Sequence, residues 1–383
     1  MTQGINVPAV TAWLGEHIDG ITPPVSFEPI PGGRSNLTYI VTDATGRRVV
    51  LRRPPISHVL STAHDMGREH RVISALRGTG VPVPDTLGFC ADETVNDRPF
   101  YVMDFVDGYV FRSVGQTAAV LDETTRMVAG DDLIDVLVEI HAVDVDAVGL
   151  GNLARRDGYI ERQLRRWHGQ FEQSQQQARE VGVYRPVPLV TQAHRLLADR
   201  VPEQRGVAIV HGDYRIDNVI MSGQGRVRAV LDWELCTLGD PLADVGILLA
   251  YWAERRAEPA PTGQDSAALA GQGSQAPAGM RAPARMPAPA RMPALATTSP
   301  EVTALPGFPT RAELAARYAA RSGRDLSDIG FYLAFAYWKL ACILEGVFVR
   351  YAARAMGGGH DDAEVLGQGV QDRARRAIEA LEA

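Results

Sequence analysis

Cysteine is scarce in this chain and follows no recognisable pattern. The 383 residues include three cysteines, Cys90, Cys236 and Cys342, which are far apart and form no C-x-x-C motif. An odd number of widely separated cysteines argues against both a disulfide framework and a zinc site. A reducing cytoplasm is therefore the expected location.

The chain also lacks an excess of positive charge. Its 39 lysine and arginine residues stand against 46 aspartate and glutamate residues, and the net charge is -7. Charges of both signs are interspersed, which gives no support to nucleic-acid binding.

No uninterrupted membrane-spanning run or leader is evident. The first ten residues lack a basic region followed by an apolar run, so no signal peptide is expected. Residues 331–351 form the most apolar long stretch, but Lys339, Glu345 and Arg350 interrupt it. A buried helix is therefore expected there instead of a membrane span.

Two spaced motifs in the second half of the chain indicate phosphoryl-transfer chemistry. Asp213 and Asn218 lie five residues apart, as do the aspartate and asparagine of H-R-D-x-x-x-x-N, and Asp232 follows an apolar strand where D-F-G would supply its aspartate. Asp213 is the candidate catalytic base, and Asn218 and Asp232 are the candidate Mg²⁺ ligands. The alternatives are an aspartate that caps a turn and, for Asp232, a helix N-cap.

Neighbouring residues have less certain roles. Arg215 could neutralise charge on the transferring phosphoryl group or form a surface ion pair, and both interpretations stay open. Asp217 has the wrong offset for a metal ligand and is expected to face solvent. His211 is expected to brace the loop, and Asp240 or Asp244 to accept its backbone N–H groups.

A glycine-rich turn and a strand predict the nucleotide site. Candidate phosphate-contacting residues in the turn are Gly32, Gly33, Ser35 and Asn36. Arg52 is the candidate strand cation for the α- and β-phosphates, with Glu69 on the next helix as its ion-pair partner. Protein kinases usually have a lysine at this strand position, and arginine is a departure from it. The alternative is that Arg52 and Arg53 are simply two basic residues on an edge strand.

The predicted element order is three strands, a helix and two more strands, followed by mostly helical sequence. With the motifs, this order predicts an α+β, protein-kinase-like fold with a small β-rich N-terminal lobe and a larger helical C-terminal lobe. The lobes are expected at residues 1–107, for nucleotide binding, and 108–383, for catalysis and acceptor binding. The hinge would include Met103 and Phe105, with adenine bound through backbone groups.

A compositionally distinct segment interrupts the second lobe. Residues from about 255 to 308 are rich in alanine, proline, glycine and serine, and the hexamer PARMPA at 283–288 recurs at 289–294. Frequent proline and few large apolar residues predict a disordered insertion.

The chain resembles the aminoglycoside phosphotransferase and choline kinase superfamily, and within it the kinase-like domains fused to some acyl-CoA dehydrogenases. The matching segments cover nearly the whole chain outside the insertion: 33–39, 50–55, 68–69, 211–218, 231–241 and 337–341, with Tyr159, Gln163, Arg166 and Trp167. The resemblance implies ATP and Mg²⁺ as cofactors and a hydroxyl-bearing small molecule as acceptor. Arg52 fits this subgroup, although it departs from the antibiotic-modifying members.

The leading hypothesis is an ATP-dependent, Mg²⁺-requiring kinase whose acceptor is a hydroxyacyl-CoA or an aminoglycoside-like molecule. The basic residues Arg155, Arg156, Arg162, Arg165 and Arg166 would favour an anionic acceptor if they face the site, and otherwise form a solvated helix face. A pseudokinase that binds nucleotide or a partner without turnover is the alternative. A protein kinase is less favoured, because no A-P-E segment follows Asp232.

Overall fold

The computed structural model describes residues 3–30, 36–56, 65–253, 298–353 and 360–383. It contains a small antiparallel sheet in the N-terminal part and a larger, mostly helical C-terminal part. The predicted α+β, two-lobed fold class is therefore confirmed.

The N-terminal part has the predicted element order. Its elements are α1 (Val7–His17), β1 (Ser26–Pro29), β2 (Leu37–Thr42), β3 (Arg48–Arg53), α2 (Met66–Leu76), β4 (Thr86–Cys90), α3 (Glu93–Asn96) and β5 (Phe100–Asp104). The strands form one sheet in the order β1-β2-β3-β5-β4, and all neighbours are antiparallel.

Side-chain alternation along β3 determines which residues face the rest of the molecule. Val49 and Leu51 pack into the cluster that includes α1, whereas Val50 joins the larger core that includes α2. Successive side chains of a strand point to opposite faces, so Arg52 and Arg53 diverge. Because β3 lies in the middle of the sheet, the edge-strand alternative for these two arginines is wrong.

The C-terminal part carries two short strand pairs among its helices. Its elements are α4 (Val114–Val120), α5 (Glu123–Ala142), α6 (Tyr159–Glu180), α7 (Pro188–Ala198), β6 (Ala208–Val210), β7 (Val219–Met221), β8 (Val227–Val230), β9 (Thr237–Gly239), α8 (Leu242–Tyr251), α9 (Thr298–Thr303), α10 (Arg311–Ser322), α11 (Ile329–Ala352) and α12 (His360–Glu382). Strand β6 pairs with β9 and β7 with β8, both antiparallel.

Helix α11 runs through the core of the C-terminal part and packs against α6, α7, α8 and α12. It is long and apolar enough to cross a membrane by length and composition alone. In its most apolar 18-residue window, however, 83% of the residues are buried inside the protein. That burial is typical of a core helix, as the sequence predicted.

The end of the stretch predicted to be disordered is folded. Helix α9 begins at Thr298, inside the stretch predicted to be disordered, and Val302 and Phe308 are 0% and 1% exposed. Phe308 meets the ring of Trp252 edge to face, and Trp252 Nε1 donates to the Pro309 carbonyl at 2.8 Å. The prediction is therefore wrong for residues 298–308, while 255–297 lie outside the described residues.

Two changes test where the folded part resumes. Phe308→Ala should lower the free energy of unfolding by about 3–5 kcal/mol, because it removes a buried aromatic ring. Deletion of residues 257–296, the matched change upstream, should leave urea unfolding nearly unchanged if its composition builds no core. A deletion as costly as Phe308→Ala would contradict this division.

Candidate active site

The loop between β6 and β7 turns sharply at Gly212. Its φ is +86°, and a Cβ atom there would lie 3.0 Å from both the Cβ and the carbonyl oxygen of Leu235. Glycine meets both demands, since it adopts positive φ readily and lets backbone approach closely. This turn directs the next residue, Asp213, out of the β6 strand.

Asp244, in the first turn of α8, binds the backbone of the loop between β6 and β7. Its carboxylate accepts the N–H groups of His211 at 2.6 Å and Gly212 at 2.8 Å, so the predicted bracing is confirmed for Asp244. Burial opposes ionisation of this fully buried carboxyl, but hydrogen bonds from His141 and Gly212 hold its pKa below the usual value.

His211 braces the loop, as predicted. Its Nδ1 lies 3.3 Å from the backbone nitrogen of Asp213, and its Nε2 lies 2.8 Å from the carbonyl oxygen of Leu231. A neutral ring that donates from Nε2 and accepts at Nδ1 satisfies both contacts. The imidazole thereby ties the loop to the residue just before Asp232.

Asp213 lies at the centre of the site with its side chain 25% exposed. Asn218 Nδ2 donates to the Asp213 Oδ2 atom at 2.9 Å, and Arg215 Nε lies 3.2 Å from the same oxygen. Burial raises the pKa of the Asp213 carboxyl, while the nearby charges of Arg215 and Lys339 oppose the increase. The predicted pair, Asp213 and Asn218, is thus in direct contact.

Arg215 forms an ion pair within the loop. Its Nε contacts Asp213, its Nη1 lies 2.9 Å from Asp217 Oδ2, and its guanidinium lies 4.7 Å from the centroid of the Tyr251 ring. The expectation that Asp217 faces solvent is wrong, because its side chain is 9% exposed. Asp217 instead balances the charge of Arg215.

Asn218 and Asp232 supply oxygen atoms of the type that Mg²⁺ prefers. Asn218 uses its amide nitrogen on Asp213, which leaves its amide oxygen as the donor for a cation. Asp232 follows β8 with a φ of +64°, uncommon for a residue other than glycine, and its side chain is 32% exposed. The donor chemistry therefore fits a hard divalent cation.

Arg52 bridges two carboxylates from different parts of the chain. Its Nε lies 3.2 Å from Glu69 Oε2 on α2, which places the predicted partners together. Its Nη2 lies 2.6 Å from Asp232 Oδ1, a contact that the sequence did not predict. Burial disfavours the charged guanidinium, but Glu69 and Asp232 outweigh it and raise the Arg52 pKa. A branched guanidinium binds the two acids through separate nitrogens, whereas an ammonium would have to bind both through one.

Glu234 is a candidate site residue that sequence reasoning missed. Its Oε2 accepts a hydrogen bond from Asn36 Nδ2 at 3.1 Å and lies 3.9 Å from Arg52 Nη2. The available signal was its position, two residues after Asp232 in the sequence Asp232-Trp233-Glu234. Glu234 is therefore the third carboxylate around the Arg52 guanidinium, with Glu69 and Asp232.

The remaining candidate nucleotide residues lie in different settings. Asn36 is buried and contacts Glu234, whereas Gly32, Gly33 and Ser35 lie outside the described residues. Met103 pairs with Val50 and Thr86 in the sheet, and its side chain belongs to the main core. Phe105 follows the sheet, with the Arg48 guanidinium 3.9 Å from its ring centroid.

The basic residues around α6 do not share one role. Arg156 forms an exposed ion pair with Asp146, and Arg162 donates to the Arg155 carbonyl at 2.6 Å. Arg165 and Arg166 are exposed, and the Arg166 guanidinium lies 5.2 Å from the centroid of the Trp167 ring.

Comparison with known proteins shows the family of this chain. A model described as the phosphotransferase enzyme family matches residues 26–283, more than half of the chain. The chain belongs to the phosphotransferase enzyme family. It is 31% identical over 340 residues to acyl-CoA dehydrogenase family member 10 of Mus musculus, covering 88% of this chain and 27% of that protein. The chain therefore spans about a quarter of that relative's length.

Solved structures with this phosphotransferase fold are also similar. A crystal structure of a putative aminoglycoside phosphotransferase from Ralstonia eutropha superposes with a TM-score of 0.74, at 29% identity and 98% coverage of both chains. A thermostable mutant of APH(4)-Ia, in ternary complex with ADP and hygromycin B, has a TM-score of 0.55 at 15% identity, covering 96% of this chain and 98% of that one. At that identity the likeness shows the fold alone.

Within this phosphotransferase family member, Asp244 is expected to carry much of the loop's stability. Asp244→Ala leaves two buried backbone N–H groups unpaired, so the free energy of unfolding should fall by about 3 kcal/mol or more. The exposed Asp19→Ala variant is the control and should change it by less than about 0.5 kcal/mol. Equal urea midpoints for the two variants would show that Asp244 does not hold the loop.

Proposed function

We propose that this chain is an ATP-dependent, Mg²⁺-requiring kinase that phosphorylates a hydroxyl group of an anionic small molecule. The observation that carries the proposal is the Asp213 carboxylate, held by Asn218 and Arg215 beside a second loop that bears Asp232. Transfer of a phosphoryl group depends mostly on positioning and charge stabilisation, and these residues supply both.

Each residue has a defined part in the reaction. Asp213 accepts a hydrogen bond from the acceptor hydroxyl, and this contact aims the hydroxyl oxygen at the γ-phosphorus of ATP. The new P–O bond forms as the bond to ADP breaks, and the hydroxyl proton passes to Asp213. Asn218 and Asp232 would hold Mg²⁺, which neutralises phosphate charge when bound.

Arg52 changes partners in this mechanism. Its Nη2 lies 2.6 Å from Oδ1 of Asp232, a candidate Mg²⁺ ligand. If Asp232 turned to Mg²⁺, the Nη2 arm of the Arg52 guanidinium would be available for the α- and β-phosphates. The contact between Glu69 and Arg52 Nε would remain in place and orient the guanidinium group.

Positive charge near the catalytic loop supports an anionic acceptor. The exposed Arg166 guanidinium lies 5.2 Å from the centroid of the Trp167 ring, and the buried Lys339, which contacts the Gly212 carbonyl, lies at the same distance from that centroid. Arg166 is therefore the exposed cation that an acceptor could meet. A polycationic aminoglycoside needs carboxylates at its binding site, whereas a hydroxyacyl-CoA gains from cations. The acyl-CoA dehydrogenase relative supports the same choice. The expected cytoplasmic location stays a prediction.

A product assay tests the proposal. The protein is incubated with Mg²⁺, ATP and a panel of hydroxyacyl-CoA thioesters and aminoglycosides, and phosphorylated products are identified by mass. A phosphorylated thioester that requires Mg²⁺ supports the proposal. Phosphorylation of aminoglycosides alone overturns the anionic acceptor, and no phosphorylation or ATP hydrolysis overturns the kinase function.

The contact between Arg52 and Asp232 favours one second candidate, a nucleotide-binding protein without turnover. If this ion pair persists when nucleotide binds and keeps Mg²⁺ away from Asp232, the candidate metal site stays unused. The chain would then bind ATP without a Mg²⁺ requirement and transfer nothing.

Asp213→Asn should retain nucleotide binding and lose about 10²–10⁴-fold in phosphoryl transfer, because it removes only the group that accepts the hydroxyl proton. The exposed Asp107→Asn variant is the control and should retain parental turnover. Calorimetry with Mg·ADP and the product assay measure the two effects. Near-parental turnover of Asp213→Asn would rule out Asp213 as the base.

Substitutions of Arg52 distinguish the two candidate functions. Arg52→Lys keeps the charge but cannot bind Glu69 and a second group through separate nitrogens, so activity should fall without vanishing. Arg52→Ala leaves the buried Glu69 unpaired and should cost far more. Arg48→Lys, on the same strand, is the control. Parental activity in both Arg52 variants would show that Arg52 does not contact the phosphates.

A further inference from the structure

Lys339 is the single lysine among the 39 lysine and arginine residues of the chain. It lies on α11 and is 5% exposed. A buried ammonium is costly unless it is hydrogen-bonded and faces opposite charge. In a chain that uses arginine at every other cationic position, a buried lysine indicates a site that a guanidinium does not suit.

The surroundings of Lys339 explain the choice of an ammonium. Its Nζ donates to the Gly212 carbonyl oxygen at 2.7 Å and lies 5.2 Å from the centroid of the Trp167 ring. An ammonium is a compact point charge, whereas a guanidinium is a planar fork that needs more room. The charged groups that act on it are Asp213, Asp244 and Arg166.

The Gly212 carbonyl belongs to the peptide group that joins Gly212 to Asp213. Lys339 holds the oxygen of that peptide, and His211 Nδ1 lies 3.3 Å from its nitrogen. The preceding peptide is held by Asp244, through the Gly212 N–H. The buried Asp244 carboxylate therefore binds the Gly212 N–H, and the buried Lys339 ammonium binds the Gly212 carbonyl. Together these contacts restrict the backbone that leads to Asp213.

We propose that Lys339 is a positioning residue for phosphoryl transfer: its ammonium fixes the Gly212–Asp213 peptide and thereby aims the Asp213 carboxylate at the acceptor hydroxyl. The proposal rests on the proposed kinase function. It deepens that function, because it assigns a catalytic contribution to a side chain that touches the loop backbone. Burial lowers the pKa of the Lys339 amine, and the charge of Asp213 opposes this.

Kinetics separate positioning from substrate binding. Lys339→Met keeps the apolar stem but removes the charge and the donor, so kcat should fall by about 10²-fold, while KM for Mg·ATP and KM for the acceptor change by less than about 3-fold. Lys339→Arg restores a charged donor, but its planar guanidinium does not suit this buried site, so it should recover at most a small part of the loss. Arg350→Met, at the exposed end of the same helix, is the control and should behave like the parent.

Two kinetic outcomes would overturn the proposal. One is a Lys339→Met variant whose kcat stays within about 3-fold of the parent. The other is a loss confined to KM for the acceptor, since that pattern indicates direct acceptor binding.

A second measurement needs no turnover and uses the folded parent chain. Lysine labelled with ¹³C at Cε gives one side-chain NMR signal, because the chain contains one lysine. Its titration midpoint should move downward in Asp213→Asn, since the carboxylate that favours the charged amine is lost, and should not move in Asp107→Asn. An unchanged midpoint in Asp213→Asn would show that the ammonium does not face Asp213, and would overturn the proposal. If the parent turns over no acceptor and no water, the kinase function fails, and the NMR result still decides the placement of Lys339.

Discussion

The buried carboxylate of Asp244 is the interaction on which the rest of the site depends. It accepts two backbone N–H groups of the loop at 2.6 and 2.8 Å, and α8, which carries it, is almost wholly buried. Charge-assisted hydrogen bonds in a water-free interior are stronger and shorter than those at a surface. The turn at Gly212 therefore has one stable geometry, and the position of Asp213 follows from it.

A chain of alternating charges joins the N-terminal sheet to this loop region. Glu69, Arg52 and Asp232 lie in sequence along it, and Asn36 and Glu234 form a parallel contact. Arg52 contacts Glu69 through Nε, and Asp232 and Glu234 through Nη2. One side chain of β3 therefore links α2 to the residue that follows β8.

Several parts of the site could be predicted from spacing alone. The five-residue offset of Asp213 and Asn218 places both on one short turn, and they are in contact at 2.9 Å. Strand alternation placed Arg52 on the face of α2, where Glu69 lies 3.2 Å away. Local geometry determines the turn and the face of Arg52, whereas the pairing with Glu69 on another element was predicted from the likeness to the protein-kinase arrangement.

Other features were decided only by the tertiary structure. Composition marked residues near 300 as unable to build a core, yet Phe308 is buried against Trp252, because burial depends on a partner distant in sequence. The sequence around Asp217 is typical of an exposed turn, but the side chain is buried and forms an ion pair with Arg215. Lys339 contacts the Gly212 carbonyl from 127 positions away in the sequence. The sequence by itself determined the local turns, the faces of strands and helices, and the chemistry available. The tertiary structure decided which charges from distant parts of the sequence form ion pairs. An ion pair depends on the distance between two groups in space, and periodicity along the chain contains no information on that distance.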